Sequence, residues 1–479
     1  MNLAAPIFRH ARMQRHVAAL IEGERTITYG ELADRVLLMA DHLAKLGVVR
    51  GDQIGLCLKD DSQHVVALLA AAYLNALAVQ IDSRSRPTER ARILDAFPLR
   101  LAIVTADNDQ GINCPKISVD SLSQLPIGRT TPTPKLIEDW NTPFATQASS
   151  GTTGVPKFTV VTHLQYLFHM LSYLEVVPPR QHRYLSTLPL YFSAGRLGCL
   201  AHLLRGDTLI LHPILFSPKE FIENVSRHAA TVAFVVPSVL RQLLTMTHGG
   251  LPLLPKIDLL ISGGSPFFAE EKLQVISTVT PYFCEMYGTA ASGPMSALRG
   301  ENIQDRPTSV GRPFSFVDVE IVDDDDHPLE AGATGQIRCR GPGLTSPIMI
   351  SPAMTAAGFR NGWYYPGELG SLDELGYIFL QGRTSEVIFR GGAKIFPSEV
   401  EAVLQMHECV AEAAVVGRAL SNNEQEAVAF VVLKHPSTPG ELLAHCRIHL
   451  TAFKVPREIR IVAELPRNLS GKIDKRALT

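Results

Sequence analysis

Apolar, β-branched segments of strand length alternate with segments of helical periodicity through the first half of the chain. Residues 53–59 and 101–105 are strand-like, and a further strand ends at Ile81-Asp82. Helical stretches separate these strands, and the same alternation returns between residues 208 and 261. A short hairpin at residues 18–27 precedes these repeats. Repeated strand–helix units predict a largely parallel sheet covered by helices. The chain is therefore predicted to contain a large α/β domain.

Composition and charge restrict the class of partner. The chain has 479 residues, of which 46% are hydrophobic and 19% charged, which is enough for two or three packed units. A net charge of -2 leaves no basic excess for a phosphate backbone, so we expect no nucleic-acid partner. Residues 65–81 are strongly apolar, but Asn75 and Gln80 interrupt them, and the stretch falls short of the ~20 residues of a membrane span. We therefore expect no membrane partner.

The cysteines and the N-terminal residues indicate a compartment. The seven cysteines are scattered, odd in number and without a Cys-x-x-Cys pair, which argues against a disulfide framework and against a zinc site. The N-terminal residues show neither the apolar block nor the small-residue cleavage site of a secretory signal. We predict reduced thiols and a cytoplasmic location.

Residues 147–157 read Gln-Ala-Ser-Ser-Gly-Thr-Thr-Gly-Val-Pro-Lys, which suits a phosphate-binding loop. Glycines bring backbone amides close to anionic oxygens, hydroxyls donate hydrogen bonds, and a lysine adds positive charge. Pro156 and Phe158 flank the lysine and exclude the P-loop of nucleoside triphosphatases, and the apolar residues that follow predict a loop between two strands. An ordinary surface turn has the same composition, so the loop alone leaves both interpretations open. The predicted loop residues are Ser149, Ser150, Gly151, Thr152, Thr153, Gly154 and Lys157.

Three further segments follow strand-like pieces and are weaker signals. Gly263 and Gly264 would let a planar group lie against the backbone, and Tyr287-Gly288-Thr289 combines an aromatic ring, a glycine and a hydroxyl. Residues 189–195 mix apolar and small side chains, which suits one wall of a pocket for an apolar ligand or a packed turn of the core.

Five separated motifs give the chain a specific resemblance. It resembles the adenylate-forming, AMP-binding acyl-CoA synthetase superfamily, and among its members the acyl- and aryl-CoA ligases most. The motifs occur in the family's order and span almost the whole chain. They are Ser149 to Lys157, Tyr287 to Thr289, Gly362 to Gly370, Gly382 to Glu401, and Ser470-Gly471-Lys472-Ile473.

The resemblance implies a two-domain architecture. It places a large N-terminal domain of βαβ sheets with a β-rich subdomain at residues 1–384, and a small, mobile α+β lid domain at residues 385–479. It implies a ligase that activates a carboxylate with ATP and Mg²⁺ to an acyl-adenylate and then transfers the acyl group to the thiol of coenzyme A. The two half-reactions would be separated by rotation of the lid, a domain alternation.

The resemblance also implies roles for individual residues. Lys472 would bridge the substrate carboxylate and the α-phosphate, where attack of one anion on another accumulates negative charge. Thr152 and Lys157 would act with it on the phosphates, and Ser149, Ser150, Gly151, Thr153 and Gly154 would complete the phosphate loop. Tyr287 would stack on adenine with Gly263 and Gly264 behind it. Gly288 and Thr289 would approach the α-phosphate, and Glu368 and Arg383 the ribose.

The hinge and the thiol side are implied in the same way. Ser385 stands where most relatives carry a hinge aspartate or lysine. Gly391 and Gly392 match the segment that approaches the thiol, in a form more like that of coenzyme A ligases than that of peptide synthetases.

Two departures concern the nucleotide and its metal. The family's glutamate ligand for Mg²⁺ is Ala291 in this chain and is preceded by Ala290, so the metal ligands are unknown. Glu368 replaces an aspartate and moves the carboxylate outward by one methylene. We expect weaker ATP binding for this reason.

The acyl pocket is predicted from Phe192, Ser193 and Gly195. No acidic residue occurs between Leu188 and Leu204 to hold an ammonium group, which favours a plain carboxylic acid. The resemblance implies an aryl or compact acyl acid, because benzoate-type ligases of the family carry an aromatic residue at the position of Phe192, although Phe192 would equally suit a packed core.

Two other functions remain open at this point. The acyl acceptor is coenzyme A or the phosphopantetheine of an acyl carrier protein. A degenerate fold that binds nucleotide without turnover is the other option, and homodimer formation is not decided by the sequence.

Overall fold

This computed structural model describes most of the chain. The described residues are 2–105, 107–120, 136–149, 157–212, 217–247, 250, 252–348, 358–390, 393–420, 425–467 and 473–478, with the backbone alone at 148, 149, 157 and 346–348.

Helices and strands alternate as the sequence predicts. The α-helices are Ala5–Met13 (α1), Tyr29–Lys45 (α2), Ser62–Tyr73 (α3), Pro87–Ala96 (α4), His163–Leu174 (α5), Ser193–Arg205 (α6), Pro218–Arg227 (α7), Pro237–Leu244 (α8), Ala269–Gln274 (α9), Glu301–Asp305 (α10), Pro397–Gln405 (α11) and Pro439–His449 (α12). A π-helical turn spans Val275–Val279, and 3-10 turns span Thr384–Glu386 and Lys475–Leu478. The strands are Ala18–Glu22 (β1), Arg25–Thr28 (β2), Gln53–Cys57 (β3), Leu77–Gln80 (β4), Leu101–Val104 (β5), Lys116–Ser118 (β6), Pro143–Ser149 (β7), Lys157–Thr162 (β8), Arg183–Ser186 (β9), Thr208–Leu211 (β10), Val232–Val235 (β11), Leu259–Gly263 (β12), Phe283–Thr289 (β13), Gly293–Arg299 (β14), Arg312–Pro313 (β15), Asp318–Val322 (β16), Gly335–Arg340 (β17), Ser346–Ile348 (β18), Phe359–Arg360 (β19), Trp363–Tyr364 (β20), Glu368–Leu372 (β21), Ile378–Arg383 (β22), Ile388–Arg390 (β23), Ala393–Ile395 (β24), Val410–Ala419 (β25), Gln425–Leu433 (β26) and Glu458–Ile461 (β27).

The helix starts follow from local side-chain chemistry. At α2 the hydroxyl of Thr28 accepts a hydrogen bond from the Glu31 amide at 3.2 Å, and the Glu31 carboxylate accepts one from the Thr28 amide at 2.8 Å. This capping box satisfies amides that the first turn of a helix leaves without partners. The spacing of Thr28-Tyr29-Gly30-Glu31 predicts a helix start from the sequence, and the structure confirms it.

The chain divides into two compact units. Unit 1 comprises Met1–Pro307, Gly311–Asp318 and Cys339–Tyr364, and unit 2 comprises Thr308–Val310, Val319–Arg338 and Tyr365–Thr479. The domain boundary predicted between residues 384 and 385 is not tested by this division and stays a prediction.

Unit 1 contains two large sheets. In the first the strand order is β15-β14-β13-β12-β11-β9-β10-β1-β2, and its central strands from β13 to β1 are parallel. In the second the order is β18-β8-β7-β4-β3-β5-β6. Helix α3 is buried at every residue except Gln63, which explains why residues 65–81 are apolar without crossing a membrane. In the described part of the chain, no helix is long and apolar enough to span a bilayer.

The second sheet contains the strands that flank the predicted phosphate loop. Strands β7 and β8 are antiparallel neighbours, with Ser149 opposite Lys157. The prediction that this loop joins two strands is confirmed. Residues 108–142 are rich in Pro, Ser and Thr, which predicts an irregular connection over the surface. They contain a strand, β6, because residues 116–118 add to the edge of the sheet beside β5. That part of the prediction was wrong.

Unit 2 is a smaller α+β assembly. Strand β21 pairs with β22, β23 pairs with β24, and β25, β26 and β27 form a three-stranded sheet. Apolar residues of α11 and α12 pack on one face of that three-stranded sheet, with Val400, Leu404, Leu442 and Cys446 fully buried. The predicted fold class, mixed α/β with a small α+β part at the C-terminal end, is confirmed.

Candidate active site

The carboxyl ends of β9, β11, β12 and β13 lie at one edge of the first sheet of unit 1. These four strands are consecutive neighbours and run parallel, with Gly263 in register with Met286. Parallel strands bring the segments that follow them to a common edge, where ligands bind in open α/β sheets. The structure therefore brings together the predicted adenine-side residues and the predicted acyl-pocket residues.

The two glycines at the end of β12 have different reasons to be glycine. A Cβ atom at Gly263 would lie 2.3 Å from the carbonyl oxygen of Met286 in the next strand, so close strand packing requires glycine there. Gly264 has φ +90°, and a Cβ at this position would meet open space. Of the two, Gly264 has the bare, accessible backbone on which a planar group can lie.

The Tyr287 motif lies inside a strand. We expected it to follow a strand-like piece, but β13 continues through Thr289 because β14 pairs with it as far as Gly293. The Tyr287 side chain is almost fully buried. The hydroxyl groups of Thr289 and Ser292 form a hydrogen bond of 3.0 Å across the turn. Thr289 thus closes the hairpin as well as being a candidate phosphate contact.

Residues 187–192 connect β9 to α6 and form the turn that carries the predicted acyl pocket. Phe192 precedes the helix and is only partly buried, with its ring centroid 4.2 Å from that of Tyr191, so it does not fill the core. Ser193 begins the helix and is partly exposed. A Cβ at Gly195 would lie 2.3 Å from the Pro189 carbonyl oxygen, which makes glycine a packing requirement of this turn.

A buried arginine holds the carbonyl groups of this turn. Arg196 is 0% exposed and donates hydrogen bonds of 3.0 Å to the carbonyl oxygens of Leu190, Tyr191 and Thr146. Thr146 belongs to β7, the strand that enters the predicted phosphate loop. Burial lowers the pKa of Arg196, but a guanidinium stays charged because its ordinary pKa is so high. Arg196 therefore connects the turn at residues 187–192, called the acid-side turn below, to β7, the strand that enters the predicted phosphate loop.

A carboxyl group holds the same turn from the amide side. The Asp60 carboxylate, in the loop after β3, accepts a hydrogen bond from the Leu190 amide. Burial raises the pKa of Asp60 to about 6, against the opposing effect of that hydrogen bond. Leu190 is thus held at its carbonyl by Arg196 and at its amide by Asp60.

Unit 2 carries the predicted ribose residues. Glu368 and Arg383 are direct cross-strand partners in the β21–β22 pair, so their side chains project from the same face of the sheet. The Thr384 amide donates a hydrogen bond of 3.0 Å to the Gly367 carbonyl oxygen, which closes this end of the hairpin. Ser385 follows in the 3-10 turn Thr384–Glu386 and is exposed.

Comparison with known proteins decides the family. The sequence profile of the AMP-binding enzyme family matches residues 7–348, and that of the AMP-binding enzyme C-terminal domain matches residues 399–472. The chain belongs to the AMP-binding enzyme family. This membership confirms the superfamily that the five motifs indicated.

Curated relatives in this family resemble the chain over its full length. A 2-succinylbenzoate–CoA ligase of Bacillus subtilis (strain 168) is 28% identical, with 98% of this chain and 96% of the relative covered. A feruloyl-CoA synthase of an Amycolatopsis species is also 28% identical over 98% of this chain and 96% of its own.

The fold agrees with solved structures of the family. The o-succinylbenzoate coenzyme A synthetase of Bacillus subtilis, in complex with an acyl-adenylate intermediate, matches with a TM-score of 0.89 at 26% identity, covering 99% of this chain and 97% of that chain. The same synthetase in complex with ATP and magnesium ion matches with a TM-score of 0.87 at 26% identity, covering 99% of this chain and 98% of that chain. The predicted architecture is therefore the architecture of the family.

Several predicted site residues lie outside the described residues. They are Ser150, Gly151, Thr152, Thr153, Gly154, Gly391, Gly392 and Lys472. For Ser149 and Lys157 the strand backbone is described, and it places them at the two ends of the loop.

The described residues at the family's metal position do not fit Mg²⁺. Ala291 is 5% exposed and has no ligand atom in its side chain, and its carbonyl oxygen accepts hydrogen bonds of 2.9 Å from the amide and the hydroxyl of Thr345. Mg²⁺ prefers carboxylate and water oxygens and leans on substrate phosphates. In the described part of this turn no carboxylate takes the glutamate's place. The reaction proposed below therefore assigns no role to a protein carboxylate that binds Mg²⁺.

Sequence reasoning missed Arg196 and Asp60. The signal for Arg196 was that it is the single Lys, Arg, Asp or Glu residue in the largely apolar stretch 188–204. Asp60 gave no signal, because its partner lies 130 residues further along the chain.

Proposed function

We propose that this protein is an ATP-dependent carboxylate–coenzyme A ligase of the AMP-forming type. It activates a small, non-amino carboxylic acid, aryl or compact acyl, to an acyl-adenylate with release of pyrophosphate, and then transfers the acyl group to the thiol of coenzyme A. The relatives bear out this class of reaction, since those described above are coenzyme A ligases or synthetases. They also bear out ATP and Mg²⁺ as its cofactors, through the synthetase solved with both.

The observation that carries the proposal is the shared edge of the first sheet of unit 1. Gly264 offers bare backbone, Tyr287 an aromatic ring, and residues 190–195 an apolar turn, all at the ends of adjoining parallel strands. An adenylating enzyme needs its nucleotide and its acid side by side, because the carboxylate must attack the α-phosphate in line. This edge meets that requirement.

The charge that develops in that step calls for cations. Lys472 and Lys157 supply them in this proposal, and the hydroxyl of Thr152 adds a hydrogen bond, by their match to the family's motifs. Two anions that approach one another repel, and fixed positive groups stabilise the transition state more than the ground state.

The acid is proposed to lack an amino group. Two carboxyl groups that folding brings to the acid-side turn already have partners in it. Asp60 accepts a hydrogen bond from the Leu190 amide, and Asp82 interacts with the Tyr191 hydroxyl. The partly exposed Phe192 ring supports an aryl or compact acyl acid.

The remaining assignments are proposals of the same rank. Ser385 acts as the hinge between residues 1–384 and the lid at residues 385–479, and Gly391 and Gly392 approach the thiol. An acyl carrier protein is the alternative acceptor, and a homodimer is a further option. A cytoplasmic location is supported by the seven cysteines, all of which are unpaired.

Pyrophosphate release tests the proposal. Native protein is assayed with ATP and Mg²⁺ across benzoates, cinnamates and short to medium fatty acids, beside Lys472→Ala. We expect one acid class to stimulate release, the substitution to reduce it by about a hundredfold or more, and coenzyme A to yield the thioester. If ATP binds but no acid stimulates release, the binding-protein alternative suggested by Ala291 replaces this proposal.

A further inference from the structure

Two short segments near the C-terminal end of unit 2 are joined through their backbones. Arg467 and Ile473 pair as an antiparallel bridge, and the Asp474 amide donates a hydrogen bond of 2.8 Å to the Pro466 carbonyl oxygen. Residues 468–472 lie between these segments in the sequence and outside the described part. Lys472 directly precedes Ile473, a residue of the bridge.

Lys475 follows this bridge and makes two ion pairs. Its ammonium nitrogen lies 2.8 Å from a carboxylate oxygen of Glu386 and 2.8 Å from one of Glu401. The Lys475 side chain is only 22% exposed. Burial alone would lower the pKa of Lys475, but Glu401 and Glu386 outweigh it and raise the pKa above its ordinary value.

Both carboxylates belong to structured elements of unit 2. Glu401 lies on α11 and also accepts a hydrogen bond of 2.7 Å from the Val415 amide in β25. Glu386 ends the 3-10 turn that contains Ser385, the proposed hinge residue. The ion pairs therefore connect residues 473–478, called the tail below, to α11 and to the 3-10 turn that contains Ser385.

Apolar contacts hold the tail on both sides of Lys475. Ile473 and Leu478 pack against a buried cluster that includes Ala414, Val416 and Leu465. These contacts keep the tail on the sheet, but they have no directional preference and do not fix the position of a particular side chain along it. The ion pairs supply that direction.

We propose that Lys475 is a positioning residue for the adenylation half-reaction, and that its ion pairs with Glu386 and Glu401, a clamp on residues 473–478, fix the chain directly after Lys472. The inference rests on the proposed function, in which Lys472 acts on the α-phosphate. A cation stabilises a transition state only where it is held at the developing charge, and a shift of about 1 Å can cost about a hundredfold in rate. In the proposed function the lid rotates between the two half-reactions, so thioester formation should not need the clamp.

The test separates the two half-reactions in the full-length protein. We expect Lys475→Met to reduce kcat for pyrophosphate release by about tenfold or more, with the KM for ATP unchanged within about twofold. Thioester formation from supplied acyl-adenylate and coenzyme A should stay within about twofold of native. Lys475→Arg should recover most of the pyrophosphate rate, because a guanidinium can bind both carboxylates.

Lys454→Met is the matched control. Lys454 lies 2.7 Å from Glu399 on the same helix, α11, and is 23% exposed, but it has no contact with the tail among the described residues. It should keep the native rate of pyrophosphate release. Equal losses in both half-reactions, a loss in Lys454→Met as large as in Lys475→Met, or no loss in Lys475→Met would each overturn the inference.

Hydrogen exchange gives a readout that does not depend on activity. The amides of residues 473–478 should exchange faster in Lys475→Met and in Glu386→Gln than in native protein or Lys454→Met. If these amides exchange at the same rate in all four proteins, Lys475 does not hold the tail and the inference is wrong. If native protein releases no pyrophosphate with any acid, the proposed function fails, and the exchange rates still decide whether Lys475 holds the tail.

Discussion

Arg196 in unit 1 and Lys475 in unit 2 are both cations largely removed from water, and their partners differ in kind. Arg196 donates to three backbone carbonyl oxygens at 3.0 Å, and no carboxylate lies within ion-pair distance of it among the described residues. Lys475 lies 2.8 Å from each of two carboxylates. One charge is compensated by neutral dipoles and the other by opposite charges.

The difference bears on what each contact is suited to hold. Carbonyl dipoles are not titrated, and a fully buried hydrogen bond is little affected by salt. Carboxylates at a partly exposed site are screened by salt and can exchange their partners. The first kind suits a turn that stays fixed beside the phosphate loop, and the second suits a tail that must move with the lid in the proposed domain alternation.

The largest effect should come from removing the buried guanidinium. Arg196→Met removes the guanidinium hydrogen bonds of three carbonyl groups, two of them buried, and a buried group that loses its donor costs about 1 to 3 kcal/mol. Relief of the buried charge offsets part of this. We expect the free energy of unfolding to fall by about 3 kcal/mol, measured by urea denaturation, and the KM values for acid and ATP to rise together.

Two further variants show whether the carbonyl contacts are responsible. Arg196→Lys keeps the charge with one donor group and should lose less stability than Arg196→Met. Arg180→Met, which removes an arginine with 58% side-chain exposure, should leave stability close to that of native protein. If Arg196→Met unfolds at the native urea concentration, the carbonyl contacts do not stabilise unit 1 and the contrast with Lys475 collapses.

A smaller effect should follow from the pH response of the same turn. Burial raises the folded-state pKa of Asp60 to about 6, above the ordinary value of 3.8, so the folded protein binds this proton more tightly than the unfolded chain does. The resulting stability is present in full below the ordinary value and is lost as the pH rises through about 6. Asp60→Asn keeps the acceptor for the Leu190 amide and has no proton to lose.

The difference in unfolding free energy between the two proteins should therefore change with pH. From about pH 4 to about pH 7 we expect Asp60→Asn to gain about 2 kcal/mol relative to native protein. Thermal unfolding across that range measures it. If the unfolding free energies of the two proteins change with pH in parallel, Asp60 is not desolvated at this turn. Arg196 alone would then distinguish the turn from the tail of unit 2.

The predictable features are those encoded locally. Alternating strand and helix segments, the capping box at Thr28 and the strands on both sides of residues 150–156 were predicted, because each depends on residues within a few positions of one another. The common edge of the first sheet also follows from parallel strands. The roles of the individual site residues came from the resemblance to the family and stay proposals.

The contacts that hold the site were not predictable. Arg196 reaches Thr146 across 50 positions, Asp60 reaches Leu190 across 130, and Lys475 reaches Glu386 across 89. Two of these contacts use backbone groups, which every residue has and which leave no mark in the sequence. A charged side chain inside an apolar run was the one visible trace, and it shows that Arg196 has a partner without showing which.

The smallest predicted effect is the salt response, and it tests the comparison most directly. Lys475→Met should lower the free energy of unfolding of native protein by about 1 kcal/mol at low salt, because two partly exposed carboxylates lose their partner. At about 1 M salt the Debye length is about 3 Å, so this difference should shrink to less than half. The loss of unfolding free energy in Arg196→Met relative to native protein should stay constant under the same conditions, since no solvent ion reaches a side chain that is 0% exposed. If both deficits shrink in parallel, the two cations are stabilised in the same way, and the distinction between a fixed turn and a movable tail has no electrostatic basis.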